Sequence, residues 1–263
     1  MKQVEALTSS DFEQRITKPR ILLFDIETAP IVAAVWNYYE TNVVWTIDDW
    51  YMLGFSAKWL GGKQITRVLP DYKGYKPGST DDKQLTSELY DLIESADYVV
   101  AHNGDQFDVK KSKARFVKHG FDPISIKSYC TKKMCKRNFG FSSNKLDEVA
   151  RFLGLGQKIP TDKSLWQGCI AGDMKAWNKM ARYNAMDTRL LEQVYLHLRS
   201  WDKMHPNLNV IQNREVQGCP TCGSTEFVKK GFGYTTTGRR QEYKCVPCGR
   251  RYSGKHQKIS DYR

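Results

Sequence analysis

The run ILLFDIET, residues 21–28, constrains the fold more tightly than any other stretch of the chain. Four large apolar residues, Ile21 to Phe24, lead straight into Asp25 and Glu27, with only Ile26 between the two acids. Residues i and i+2 of a strand point to the same side of a sheet, so an extended conformation sets both carboxylates side by side at the end of a buried strand. Two ionised carboxylates that close repel unless a cation sits between them. The stretch therefore predicts a central strand whose end carries a pair of metal ligands, and the other ligands must come from elsewhere in the chain.

The surrounding segments supply the rest of a sheet. MLGFSAKWL (52–60) and QITRVLP (64–70) read as strands joined through Gly61-Gly62 in a tight hairpin. LTSELYDLIESA (85–96) has apolar residues at helical spacing, Leu85, Leu89, Leu92 and Ile93, and leads into a short buried strand, DYVVAHN (97–103). Asp105 is placed to cap a helix that runs to about Lys118, before Gly120. NKLDEVARFLGLG (144–156) reads as a short helix stopped by glycine. A longer helix is predicted from about Asp173 to Arg199, with Leu190, Leu191, Val194 and Leu198 on its core face. Strands followed by interleaved helices and strands give an α/β or α+β domain around a mixed central sheet.

With 263 residues, the chain has room for one sizeable domain and one small one. No apolar run approaches the roughly 20 residues of a membrane span. MKQVEALTSSDF lacks the apolar centre of a signal peptide, so a cytoplasmic location is expected. The net charge of +12 and the isoelectric point near 9.3 point to a polyanionic partner, nucleic acid first among them.

Further carboxylates stand in suggestive places. HNGDQFD (102–108) puts Asp108 in the first turn of the helix after a strand, and YNAMD (183–187) puts Tyr183 and Asp187 one turn apart on the last long helix. Asp187 also borders the face that Leu190 and Leu191 mark for burial, where a carboxylate needs a partner. Each piece alone has an ordinary account: a polar strand end, an acid complementing a helix dipole, a chance Tyr–Asp spacing. Their order and their strand–helix context are harder to dismiss.

In sequence, Asp25-Ile-Glu27, then Asn103-Gly-Asp-Gln-Phe107-Asp108, then Tyr183-x-x-x-Asp187 resemble the three motifs of the DEDD superfamily of 3′–5′ exonucleases, in the subgroup with Tyr in the third motif. The Leu-rich helix at SSNKLDEVARFLGLG is similar to one that these enzymes carry between their second and third motifs, and the likeness covers roughly residues 18–200. It implies a ribonuclease H-like fold and two Mg²⁺ or Mn²⁺ ions, hard cations that prefer carboxylate oxygens. It further implies that Asp25 bridges both ions, that Glu27 and Asp187 complete the site of the ion carrying the attacking water, and that Asp108 holds the second. It implies too that Tyr183 orients the nucleophile or helps to deprotonate it, and an ordinary phenol pKa near 10 favours the orienting role. Asn103 is a candidate substrate contact, or a turn former. Phe107 reads as a core residue ahead of a packing surface for the terminal base, and His102 as a packed strand residue. Lys110, Lys111, Lys113, Arg115 and Lys118, then Lys132, Lys133, Lys136 and Arg137, form basic groups suited to a phosphate backbone.

Residues 218–263 differ in composition, with ten Lys or Arg against three Asp or Glu. CPTC at 219–222 and CVPC at 245–248 give C-x2-C-x22-C-x2-C, the spacing of two thiolate knuckles around one structural Zn²⁺. The unpaired Cys130, Cys135 and Cys169 argue against a disulfide framework. The module resembles zinc ribbons attached to transposases and transcription-related proteins, with KKGFGYTTTGRRQEYKC as its hairpin arms. Tyr234, Arg239, Arg240, Tyr243, Arg250, Arg251 and Tyr252 alternate rings and cations as nucleic-acid surfaces do, and Lys255, Lys258 and Arg263 read as a basic tail.

These readings assemble into a ribonuclease H-like domain over residues 1–200, a linker over 201–217 in which Val210-Ile211 could dock on the domain, and a zinc ribbon over 218–263. The expected activity is metal-dependent exonucleolytic hydrolysis, on DNA ahead of RNA. One rival is an endonuclease on the same acidic site, with Trp36, Tyr38, Tyr39, Trp45, Trp50 and Tyr51 as a wedge near it or as core. The other is a nucleic-acid-binding regulator on a nuclease scaffold.

Overall fold

The structure is a computed structural model that describes residues 19–211 and 218–258. The stretch read for targeting, part of the predicted linker and Arg263 lie outside the described residues. Strand β1 (Ile21–Thr28) is followed by a small hairpin, β2 (Val32–Ala34) and β3 (Trp45–Asp48), and then by β4 (Met52–Trp59) and β5 (Gln64–Val68). Helix α1 (Lys83–Glu94) leads to β6 (Tyr98–Ala101), α2 (Asp108–Lys118) and β7 (Ser128–Cys130). Helices α3 (Thr131–Asn138), α4 (Leu146–Phe152), α5 (Lys163–Ile170) and α6 (Met174–Leu198) follow.

The main sheet has the order β5-β4-β1-β6-β7. β1 is its middle strand, antiparallel to β4 and parallel to β6, so the sheet is mixed, as the sequence leads one to expect. Ile21, Leu22, Leu23, Phe24 and Ile26 are all at most 2% exposed, which explains why the run is apolar on both faces. Each such side chain contributes roughly 1.5–3 kcal/mol by leaving water. The hairpin of β4 and β5 turns at Gly61, whose φ of 73° is a left-handed conformation that a Cβ disfavours. Helix α1 buries Leu85, Leu89 and Ile93, and α6 buries Leu190, Leu191, Val194 and Leu198, both at the predicted spacing.

Helix α2 begins three residues later than Asp105, because Asn103 takes a left-handed φ of 73° and its carbonyl accepts from the N–H groups of Gln106 and Phe107. Asp105 leaves the helix end altogether and bonds Ser128 and Lys133. One buried polar cluster of this domain is not foreshadowed by the sequence. Asp82, wholly buried before α1, accepts from the Met52 N–H at 2.7 Å and pairs with Arg115 of α2 and with His119 just beyond its end. Arg115, expected on a basic surface, is only 2% exposed. Its charge is matched in place, which ties the start of β4 to α2.

The contacts separate a unit of residues 20–195 from one that contains residues 196–258. The second holds a three-stranded sheet, β8 (Phe227–Thr235), β9 (Gly238–Cys245) and β10 (Arg251–Lys258), in the order β10-β9-β8. The predicted arms form β8 and β9. The segment read as a basic tail is β10 up to Lys258, because it pairs antiparallel with β9. Within the predicted linker the docking residue is Leu208, 2% exposed, while Val210 is 75% exposed. The Leu208 N–H donates to the Pro220 carbonyl at 2.8 Å, and the Asn209 amide bonds both backbone groups of Gly218, which fastens residues 208–209 to the ribbon.

Candidate active site and zinc ribbon

Two elements bring the acids together. β6 ends at Ala101, so beyond Leu23, which pairs with Val100, the flank of β1 soon has no parallel neighbour. The Ile26 N–H on that flank donates instead to Asp108 Oδ1 at 3.2 Å, which places the first residue of α2 behind the acidic pair. On the sheet face, α6 is fixed by polar contacts to the antiparallel strands. The Thr188 hydroxyl donates to the Ser56 carbonyl at 3.2 Å, the Gln64 amide to the Ala185 carbonyl at 2.7 Å, and Lys58 pairs with Glu192. Ser56 lies opposite Asp25 in the β1–β4 register, so this docking presents Asn184 and Asp187 to the acids of β1.

One carboxylate oxygen each of Asp25, Glu27 and Asp187 falls within 4.8 Å of the others. Asp108 is outside that group, turned onto Ile26. The Tyr183 hydroxyl lies against Asp187. Three neighbours that sequence reasoning missed complete the surroundings. Asn184 donates to Asp25 Oδ2 at 2.7 Å, Trp166 donates to Glu27, and Lys158 pairs with Asp187 beneath the face of Tyr183. Asn184 had a signal, one turn from Asp187 on the buried side of YNAMD; Lys158, in the loop after α4, had none.

The electrostatics fit a cation site. Burial, then Asp108, Glu27 and Asp187, pushes the Asp25 carboxyl well above the usual range. Burial, then Asp187, raises Glu27 to about 8, and burial raises Asp108 to about 7. Burial also raises Asp187, against the opposing pull of Lys158. Burial opposes the charge on Lys158, but Asp187, Asp25 and Glu27 outweigh it and its ammonium is held more firmly. Asp187 Oδ1 is buried and accepts no hydrogen bond of good geometry. Three carboxylates gathered this closely, with Asp187 only 2% exposed, are costly unless a cation is their partner, and hard oxygen donors suit Mg²⁺ or Mn²⁺. The donor set therefore fits the divalent ions.

The neighbours expected from sequence divide. His102 is a packed residue, bonded to the Thr131 hydroxyl and the Asn144 carbonyl, each at 2.9 Å, and burial lowers its pKa to about 4. Phe107, expected in the core, is 38% exposed beside Asp108. Asn103 forms the turn. Lys110 and Lys113 are exposed, Lys111 lies over the Trp50 ring, 3.7 Å from its centroid, Lys132 is half-buried, and Lys133 is engaged by Asp105. Trp36, Tyr38, Tyr39 and Trp45 are exposed on and around the β2–β3 hairpin, whereas Tyr51 belongs to the core.

In the ribbon, the four Sγ atoms of Cys219, Cys222, Cys245 and Cys248 lie within 4.8 Å of one another. Cys219–Cys248 and Cys222–Cys245 are 3.6 and 3.5 Å apart. Tetrahedral ligation at a Zn–S distance of about 2.3 Å requires sulfurs roughly 3.8 Å apart, so the cluster is already at coordination spacing. Gly223 and Gly249 follow the knuckles with φ of 75° and 73°, and their N–H groups donate to the Cys219 and Cys245 carbonyls. The turn at each knuckle thus explains both glycines. Arg250 is 9% exposed and donates to the Ser200 carbonyl at 3.0 Å, which removes it from the phosphate-facing set; Arg240 and Arg251 remain exposed, and Arg239 stacks on Phe232.

A mixed sheet with acids on its central strand and on a helix laid across it defines a nuclease-type site, and the sequence comparison agrees. Residues 22–199 match the RNase_H superfamily. The chain belongs to that superfamily. Among solved structures it is similar to the family B DNA polymerase from the hyperthermophilic archaeon Pyrobaculum calidifontis, at 14% identity and a TM-score of 0.49, over 84% of this chain. It spans 32% of that polymerase's length. No curated protein matches the chain. Among the described residues, no helix is long and apolar enough to cross a membrane.

Proposed function

We propose that the chain is a 3′–5′ exonuclease that hydrolyses phosphodiester bonds of DNA, ahead of RNA, with a nuclease domain over 1–200, a linker over 201–217 and a recruiting zinc ribbon over 218–263. The observation that carries this reading is the convergence of Asp25, Glu27 and Asp187 within 4.8 Å, with Asp187 only 2% exposed. Two divalent ions in such a site supply charge stabilisation at phosphorus and an activated water. Asp25, Glu27 and Asp187 are the residues to hold them, with Asp108 flanking the second. Asn184 fixes the Asp25 carboxylate, and Lys158 pairs with Asp187 and offsets part of the upward push of burial on its carboxyl. Burial, then Asp187, raises the Tyr183 phenol, so it remains protonated and orients the nucleophile as a hydrogen-bond donor. Phe107, exposed beside Asp108, offers a ring face to a terminal base.

The order and spacing of the three motifs support 3′–5′ polarity. The exposed rings of Trp36, Tyr38, Tyr39 and Trp45 favour a second reading, a structure-specific endonuclease that uses the same acids. The test uses 5′-labelled single-stranded and duplex DNA and RNA with Mg²⁺ or Mn²⁺. A ladder receding from the 3′ end, stopped by a blocked 3′ terminus, is expected. Discrete internal cuts, or cleavage of circular single strands, would establish the endonuclease instead. Tight, salt-sensitive binding with no cleavage would leave a regulator.

A further inference from the structure

The ribbon sheet carries a cleft of about 410 Å³ that the acidic site does not use. Phe227 on β8, Tyr243 on β9 and Tyr252 on β10 line it. Tyr243 and Tyr252 are stacked with centroids 5.5 Å apart at 29°, and Phe227 meets Tyr243 edge-on at 4.9 Å. Register breaks flank the same part of β9 from both sides, between Lys229 and Phe232 on β8 and between Ser253 and His256 on β10. The first is closed by the Gln241 amide, which donates to the Gly231 carbonyl at 2.6 Å. The second puts Gly254 against Tyr243; a Cβ there would stand 3.0 Å from Tyr243 Cε2, so the missing side chain lets the ring lie on the strand. Bulges re-aim side chains where a sheet must present them.

This aromatic wall is not a core. Phe227 is 41% exposed, and Tyr243 and Tyr252 are partly exposed. The rim includes Asn207, Ser253 and Lys255, and none of the lining residues is acidic, in a module with ten cations against three acids. A surface that only attracts phosphates needs no ring-lined cleft. Rings for stacking, polar groups at the edge and cations for the backbone are how single-stranded nucleic acid is held.

We propose that this cleft receives an unpaired base of a single-stranded nucleic acid, stacked on the Tyr243–Tyr252–Phe227 wall with its phosphate toward Lys255, an inference that rests on the nucleic-acid reading above. The ribbon would then bind strands by their bases as well as by their charge.

The experiment uses the full chain carrying Asp25→Ala, so that substrates survive, and measures anisotropy of labelled 12-nucleotide single strands. Strands with bases are compared with abasic strands of equal charge, in deoxy and ribo form, the two sugars reporting which nucleic acid is preferred. Stacking changes binding by about 5- to 150-fold per base, so base-bearing strands should bind at least about tenfold tighter than abasic ones. Tyr243→Ala and the milder Tyr252→Leu, each checked for one zinc per chain, should erase most of that ratio while leaving abasic binding unchanged. On the Tyr-intact chain, a 5-iodouracil strand should photocrosslink to Phe227, Tyr243 or Tyr252, which needs no second variant to fold. Equal binding of base-bearing and abasic strands, or crosslinks that avoid all three rings, would overturn the cleft proposal alone. Failure of every strand to bind would overturn the nucleic-acid reading and the cleft with it.

Discussion

Asp25→Ala is expected to lower metal-dependent cleavage by at least about 10³-fold, the upper range for removing one group that stabilises charge in a transition state. It should also leave a chain that, without metal, is more stable at high pH than its parent. Asp25 lies with Glu27 of its own strand and Asp187 of α6 in one acidic group, and on the proposed function its removal takes away one of the metal ligands. The stability gain follows from the signs of the shifts. Glu27 is raised from 4.5 to about 8 and Asp108 from 3.8 to about 7, so both bind protons more tightly in the folded state. Their contribution to metal-free stability is complete below their ordinary values and is lost as pH rises through about 7 and then about 8. Melting temperature without metal should therefore fall across that window in the parent and fall less in Asp25→Ala, because one repelling carboxylate is gone. Thermal scans from pH 5 to 9 and a gel assay measure the two effects on the same samples. Loss of cleavage accompanied by a lower melting temperature at pH 9 would mean that Asp25 is a structural residue.

Cys222→Ser should remove bound zinc and unfold the ribbon while sparing the larger domain. The three-stranded sheet has few buried side chains of its own: every residue of β8 is at least partly exposed, and β9 buries only Cys245. Such a sheet has little apolar burial to set against its chain entropy. Structural zinc contributes an apparent 10–16 kcal/mol or so in small modules, far more than these contacts provide. Hydrogen exchange should show residues 218–258 losing protection together, with zinc content near zero. Amides of β1, β4 and α6 should stay protected, since the core around Phe24, Phe55 and Trp177 needs no zinc. Affinity for long single strands should fall, whereas cleavage of very short ones should persist. A ribbon that keeps its protection without metal would contradict this account.

Much of this was legible in the sequence, for identifiable reasons. ILLFDIE reports its own strand because burial on both faces demands an unbroken apolar run, and the carboxylates at its end break that pattern where chemistry is needed. The long helix announced itself through Leu190, Leu191, Val194 and Leu198, and the ribbon through its cysteine spacing. What stayed hidden depends on contacts between residues distant in sequence. Lys158 lies in a loop with no periodicity, and only the fold brings it to Asp187. By sequence Arg115 is one more cation on a basic helix, and only the fold sets Asp82 and His119 against it. Asp105 looked like a cap because local sequence cannot reveal that Asn103 turns the chain first. β10 resembled a charged tail because a small edge strand buries too little to show an apolar pattern.

The most direct measurement is Mn²⁺ binding to the full chain, followed by electron paramagnetic resonance at pH 6 and pH 8, beside Asp25→Ala and Asp187→Asn. Two ions per chain are expected in the parent, bound more tightly at pH 8, because Glu27 and Asp108 must give up protons to accept them. Neither variant should hold the pair. Binding that is indifferent to pH, or retained in full by both variants, would contradict the assignment of Asp25, Glu27 and Asp187 as the metal ligands.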